Sequence, residues 1–175
     1  PQITDDTEWA DLTTGAWCYY ENDPTKPRLY NWFAVMGIHD NDENTPNKEF
    51  APEGWHVPSD AEWTTLEEHL IANGYNYDQT TTENKIAKAM TSTTGWNSST
   101  TVGAVGNEQS LNNSSGFNAS PEGWRNPNFN SEGYYAFFWS STAFIFYLDY
   151  TYDALAQLQD ITWNSFGLSV RFVRD

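Results

Sequence analysis

The chain has 175 residues, enough for one domain with a sizeable apolar core. It carries 24 acidic against 8 basic residues, a net charge of -16. Such a surface repels phosphate backbones and anionic lipid, which argues against nucleic-acid binding and membrane docking. Cys18 is the only cysteine, so neither an internal disulfide nor a thiolate metal cluster can form. No window of about 18 apolar residues exists to span a bilayer. The stretch opens at Pro1 without a signal-like segment, which leaves export open. Aromatics make up 17% of the chain, nine of them Trp. Large, stiff rings suit binding surfaces, and they also suit the core of a loop-rich fold.

In chain order, residues 1–8 read as a loose acidic lead-in. Trp9 to Tyr20 (WADLTTGAWCYY) reads as a strand, or as two joined at Gly15. Glu21-Asn22-Asp23-Pro24 is a turn, and Leu29 to Gly37 a short buried segment. Asp40 to Asn44 is an acidic loop. An EF-hand loop needs Gly and Glu where Thr45 and Ala51 stand, so that reading fails. A calcium site of looser geometry stays open as the alternative, without support from the spacing, and the expectation is a solvated loop with no cofactor. Ser59 to Asn73 is the clearest helix. Ser59 and Glu62 form a capping box, Gly74 ends the segment, and Trp63, Leu66, Leu70 and Ile71 share a face from which Glu67 and Glu68 point away. A second helix is expected over Glu83 to Met90. Residues 91–133 form a long polar loop pegged by Trp96, Phe117, Trp124 and Phe129, which predicts a packed loop. Strands follow. The order of elements is α+β.

The last stretch, 137–175, is the informative one. Phe144-Ile145-Phe146-Tyr147-Leu148 does not alternate apolar with polar. Either both faces of this strand are buried, or one face carries aromatics into solvent. The second alternative makes Phe144, Ile145, Phe146, Tyr147, Tyr150, Tyr152, Asp153, Asp160, Ile161 and Trp163 the candidate ligand-binding residues. A search for chemistry gives little. His56 lies between Trp55 and Val57 and reads as structural; His39 adjoins the acidic loop; His69 lies among glutamates. There is no zinc motif, nucleophile elbow or glycine-rich phosphate loop, and no catalytic residue is assigned. Asn-x-Ser triplets begin at Asn97, Asn113 and Asn118, in a loop where such matches arise by composition.

Several motifs together carry a resemblance. Pro52-Glu53-Gly54-Trp55-His56-Val57-Pro58-Ser59-Asp60-Ala61-Glu62-Trp63 comes first, then Ser115-Gly116-Phe117-Asn118-Ala119 and Pro121-Glu122-Gly123-Trp124-Arg125. Phe138-Trp139-Ser140-Ser141-Thr142 and Gly167-Leu168-Ser169-Val170-Arg171 follow, with Leu12–Ala16 and Leu29–Trp32 also fitting. In this order they resemble the Fibrobacter succinogenes major paralogous domain family over nearly the whole chain. The resemblance implies a single C-type lectin-like domain with two helices, antiparallel strands, long packed loops, and the N- and C-terminal strands paired. The family often has Cys where Ala51 and Phe172 stand, so one disulfide would be lost here. Relatives include the variable proteins of diversity-generating retroelements. There the segment between WSST and GxSVR is mutated at template adenines, yielding Phe, Ile, Tyr, Leu, Asp, Thr and Ala but not Trp or Gln. Residues 143–156 (AFIFYLDYTYDALA) lie within that set; Gln157, Gln159 and Trp163 do not. Asn126-Pro127-Asn128 and Trp163-Asn164-Ser165 match the sugar-binding triplets of true C-type lectins poorly. The active site of formylglycine-generating enzymes, which share the fold, needs two cysteines.

The resemblance therefore implies a scaffold and not a reaction. The expected function is receptor recognition by a hypervariable surface. The ligand would be a protein or glycan on another cell or host, and the domain would sit outside the cell, on a cell surface or a virion. The alternative is a cell-surface adhesion domain of the same family without diversification, with residues 144–148 buried. An enzyme of the formylglycine-generating fold ranks third.

Overall fold

The computed structural model describes residues 1–159 and 162–175. Its elements are short and run α1 (Asp6–Ala10), β1 (Trp17–Tyr19), β2 (Arg28–Tyr30), α2 (Trp32–Val35), β3 (Trp55–His56), α3 (Asp60–Ala72), α4 (Ala87–Met90), β4 (Trp124–Arg125), β5 (Phe129–Asn130), β6 (Tyr135–Trp139), β7 (Phe144–Asp149), β8 (Ala156–Gln159) and β9 (Val173–Arg174). The architecture is α+β, with antiparallel pairs β1–β2, β3–β9 and β4–β5 and a three-stranded sheet β6–β7–β8.

Helix α3 forms for the reasons its sequence gives. Ser59 Oγ accepts from Glu62 N while Glu62 accepts from Ser59 N, a closed capping box. Trp63 and Leu70 are buried, and Leu66 and Ile71 pack at the edge of the same cluster. Glu67 departs from expectation. It is half-buried, and burial raises its carboxyl above the usual carboxylate range.

The sheet β6–β7–β8 divides the molecule. Register sets Phe138 opposite Phe146, and Ile145 opposite both Trp139 and Leu158. Ala136, Phe138, Phe146 and Leu148 face the cluster built on Trp63; Phe137, Trp139 and Ile145 belong to a second cluster with Leu168. Strand β7 is therefore covered on both faces, and this corrects the reading of an outward aromatic display. Ile145 is 0% and Phe146 2% exposed. The Phe146 ring stacks on Trp63 at 4.9 Å. A central strand between two layers needs no polar face, which is why the run does not alternate.

Four other expectations change. Residues 1–8 are anchored: Ile3 is buried, Asp5 caps α1, and Trp9 is 0% exposed. Trp9 Nε1 donates to Ser165 O at 2.8 Å, tying this helix to the far end of the chain. Only Trp17–Tyr19 of the Trp9–Tyr20 stretch is strand. The second helix shrinks to Ala87–Met90, because Glu83 has φ of 62° and Asn84 reaches sideways to exchange two hydrogen bonds with Leu155. The C-terminal strand β9 pairs with β3, whereas the N-terminal Gln2 bridges to Trp17. The segment before β9 is spent on single bridges from Leu168 to Tyr30 and from Ser169 to Phe138, so it reaches β3 instead of an N-terminal strand.

Beside Ala51, an aromatic contact ties this segment to the chain end. Phe172 packs on Phe50 at 5.7 Å, and Phe50 on Tyr30 at 5.0 Å. The three-residue elements cannot satisfy their own backbones, so buried polar side chains do it. Asn31, 0% exposed, accepts from Ala16 N and Ala34 N and donates to Thr14 O. Arg125, also 0% exposed, donates to Ile3 O, Thr4 O, Pro127 O and the Asp6 carboxylate, and lies over the Trp9 ring.

His56 joins β3, α3 and the chain end. Its Nδ1 meets Asp175 Oδ1 and its Nε2 meets Glu62 Oε1, each at 2.7 Å. Hydrogen bonds to Asp175, then Glu62, raise its pKa above the ordinary 6.5. A raised folded value gives stability that is complete below the ordinary value and is lost as pH climbs through the raised one. The stability gap between the wild type and His56→Gln should therefore be wider at about pH 6 than at about pH 9, as read from urea midpoints. Separately, Phe146→Ala should destabilise the domain by about 3–5 kcal/mol, since it opens a cavity against Trp63. A loss under about 1 kcal/mol in the same titration would contradict the doubly covered strand.

Candidate ligand-binding surface

One face of the central sheet is closed at one end and open at the other. At the hairpin end, Trp139 is buried beneath Trp32 of α2, ring centroids 5.2 Å apart. This end is locked by the Trp-Ser-Ser-Thr turn. Ser140 Oγ accepts from Phe144 N and donates to Phe144 O, while Thr142 Oγ1 accepts from Asp60 N and donates to the Asp60 carboxylate at the start of α3. Toward the other end, the same face carries Tyr135, Tyr147, Trp163, Phe166 and Trp124, all half-buried around Phe137. Phe137 stands 5.5 Å from Tyr147 and 5.9 Å from Trp163; Trp163 stacks on Phe166 at 4.2 Å, and Phe166 meets Trp124 at 5.1 Å. The result is a tiled aromatic patch resting on a buried floor.

Past the end of β7 the tyrosines sit toward the other side, where Tyr150 packs at the edge of the cluster built on Trp63. Tyr134 and Tyr150 meet edge to face at 5.3 Å, and Tyr152 is 60% exposed. Burial, then the nearby Asp149 carboxylate, raises the Tyr135 hydroxyl above its ordinary value, so it stays a protonated donor. Asp149 itself is buried and accepts from Thr151 N and Oγ1, both at 2.7 Å.

The backbone under these side chains is pinned by residues outside the segment. Tyr150 N donates to Tyr134 O, Gly106 N to Tyr150 O, Val105 N to Tyr152 O and Ala87 N to Asp153 O. Asn84 completes the set at Leu155. A Cβ on Gly106 would sit 2.2 Å from Asn97 O and 3.0 Å from Tyr150 O, so glycine is what permits the close approach. These main-chain bonds are indifferent to which side chains residues 150, 152 and 153 carry.

The expected contact residues thus separate. Tyr147 and Trp163 are half-buried in the patch, Tyr150 is half-buried against the Trp63 cluster, Tyr152 is exposed, and Asp153 is partly exposed with its backbone held. Ile145 and Phe146 are core residues and present nothing outward. Phe144 packs against the opposite face, with Trp63 and its neighbours. Asp160 and Ile161 lie outside the described residues. Sequence reasoning missed Tyr135, Trp124 and Phe166. The period-two series Tyr135, Phe137, Trp139 was a usable signal; nothing local marks Trp124 or Phe166, which enter through tertiary contacts.

Elsewhere, the acidic loop folds on itself, with Asp42 N donating to Asp40 and Asn44 N to Asp42. Among the described residues no group of three or more His, Cys, Asp or Glu is placed to hold a metal ion. The two lectin-like triplets meet, Ser165 Oγ donating to Asn126 Oδ1 at 3.3 Å, but neither contains a carboxylate. Asn113 and Asn118 hydrogen-bond each other, so two of the Asn-x-Ser triplets serve the loop's own structure. Among the described residues no helix is long and apolar enough to cross a membrane.

No curated protein matches this chain, and no solved structure matches it. The model of the Fibrobacter succinogenes major domain matches residues 1–174. That match takes in the Trp-Ser-Ser-Thr turn, the capped helix α3, the aromatic patch and the Gly-Leu-Ser-Val-Arg segment alike, and the chain belongs to this family.

Proposed function

We propose that this domain is a receptor-recognition module that displays a changeable surface on a C-type lectin-like scaffold, in the manner of diversity-generating retroelement variable proteins. The observation that carries the reading is the pinned backbone beneath Tyr150, Tyr152 and Asp153. A binding surface gains most when ordering is complete before the ligand arrives. A surface meant to change gains most when its side chains are not also its supports. Both conditions hold at Tyr152 and Asp153, where main-chain bonds do the holding, whereas the Tyr150 ring also packs on Tyr134 and the Trp63 cluster. Half-exposed Tyr and Trp rings supply the contact area from which hot spots are drawn. The broad aromatic patch suits a protein or glycan partner on another cell or host. The location would be extracellular, on a cell or virion surface, and the domain acts as a binder rather than an enzyme, with no nucleic-acid partner.

The burial pattern narrows the reading. Codons 145, 146 and 148 encode core residues and cannot vary freely. Diversification would have to concentrate at 147, 150, 152 and 153. A second reading has its own support. Burial of β7 on both faces already explains the aromatic run, which leaves a non-diversified adhesion domain of the same family as the alternative.

Two measurements separate these. In population sequencing of the gene, substitutions should gather at 147, 150, 152 and 153 and trace to adenines, with 145, 146 and 148 constant; even spread along the gene would end the diversification reading. In a randomised library displayed on yeast, most variants at 152 and 153 should keep protease resistance within about 0.5 kcal/mol of wild type. Most at 145, 146 and 148 should lose about 2–5 kcal/mol. Equal losses in the two sets would show that the outer side chains are supports after all.

A further inference from the structure

The sheet β6–β7–β8 has one covered edge and one open edge. On β6 the outward backbone groups are taken. Tyr135 O accepts from Gly123 N, Phe137 O accepts from Ser169 N, and Trp139 N donates to Ser169 O. In an antiparallel ladder, alternate residues turn their N–H and C=O to opposite sides. Phe137 and Trp139 face outward, so Phe138 and Phe146 bond each other across β6 and β7. One residue on, Ile145 bonds Leu158, and Tyr147 bonds Ala156. Gln157 and Gln159 therefore turn their backbone groups away from β7. Among the described residues nothing pairs with them on that side, and both are exposed.

An open edge is a template for another strand, and proteins commonly blunt it with lysine, proline or an inward-pointing charge. Ala156-Gln157-Leu158-Gln159 has none of these. The edge also borders the aromatic patch, because Leu158 lies in one cluster with Tyr147 and Trp163.

Charge narrows the occupant. The chain carries a net charge of -16, and between Arg125 and Arg171 it has no lysine, arginine or histidine. Strands β6, β7 and β8 and the loops joining them thus hold no base to repel a cation. A second copy of the chain would bring its own excess of negative charge to the edge. A glycan has no peptide groups with which to extend the ladder.

We propose that β8 takes an extended segment of a partner protein, rich in lysine or arginine, as a fourth strand of this sheet. Main-chain hydrogen bonds at Gln157 and Gln159 would set the pairing. Every second side chain of the segment would fall beside Leu158 and the aromatic patch, where cations meet ring faces. The proposal rests on the receptor-recognition reading and gives its partner a chemistry.

The probe is a library of random decapeptides displayed on phage and selected against the whole domain. The most enriched peptide is then synthesised and titrated by calorimetry. Enriched peptides should carry more Lys and Arg than the unselected library. N-methylation of the peptide at alternate residues should weaken binding at least about tenfold in one frame and less than about twofold in the other, because only one frame of N–H groups faces β8. That comparison uses the unaltered domain. Gln157→Pro removes an N–H that the fold does not use, so the melting temperature should hold within about 3 °C while binding falls at least about tenfold. Gln157→Thr keeps the N–H and should bind within about twofold of wild type. Equal losses in the two methylation frames, undiminished binding by Gln157→Pro, no excess of Lys and Arg, or a library without binders would each overturn the proposal. So would a dimer of the domain that Gln157→Pro dissociates, since a second copy would then own the edge. Binding abolished by Tyr147→Ala and untouched by Gln157→Pro would end strand addition yet leave the patch as a recognition surface.

Discussion

Strand β7 is buried on both faces, and most of what this domain does follows from that. One side rests on Trp63 of the capped helix, the other on the cluster of Phe137, Trp139 and Leu168. A strand so placed cannot shift register by one residue without exchanging the contents of two cores. It therefore fixes the sheet, and the sheet fixes the aromatic patch. The aromatic patch is the open end of one face. The layer built on Trp63 of α3 covers the other. Separate layers allow one surface to change without loosening the other.

Little of this chain is in long elements, so its order depends on polar side chains at junctions. Arg125 gathers the N-terminal segment, and Asn31 splices β2, α2 and the Thr14–Ala16 segment. Thr142 and Asp60 weld the hairpin turn to the helix. Such groups are stabilising only while fully satisfied; a half-satisfied buried network is worse than an apolar one. This explains why motifs that look like scattered punctuation in the sequence occur at the crossings of the fold. It also explains the quiet backbone below Tyr150 and Tyr152, which is held by glycine, alanine and valine main chain rather than by the displayed rings.

The sequence by itself determined what local chemistry decides. The capping box of α3, its buried face, the packed character of the 91–133 loop and the α+β order need only nearest neighbours and periodicity, and all appear in the structure. Family membership was also legible, because short motifs at fixed order survive without knowledge of what they touch. Tertiary structure alone decided that both sides of the aromatic run are covered. A period of two reveals that a strand has two faces, but not whether a second layer arrives to cover the polar-looking one. That layer comes from Trp63 and Leu168, distant in sequence from Ile145 and Phe146. The same limit hid Trp124 and Phe166 from the candidate site and left the pairing of β9 with β3 unforeseen. Burial is a property of what packs against a residue, and in a fold built from long-range crossings that partner is rarely a neighbour in the chain.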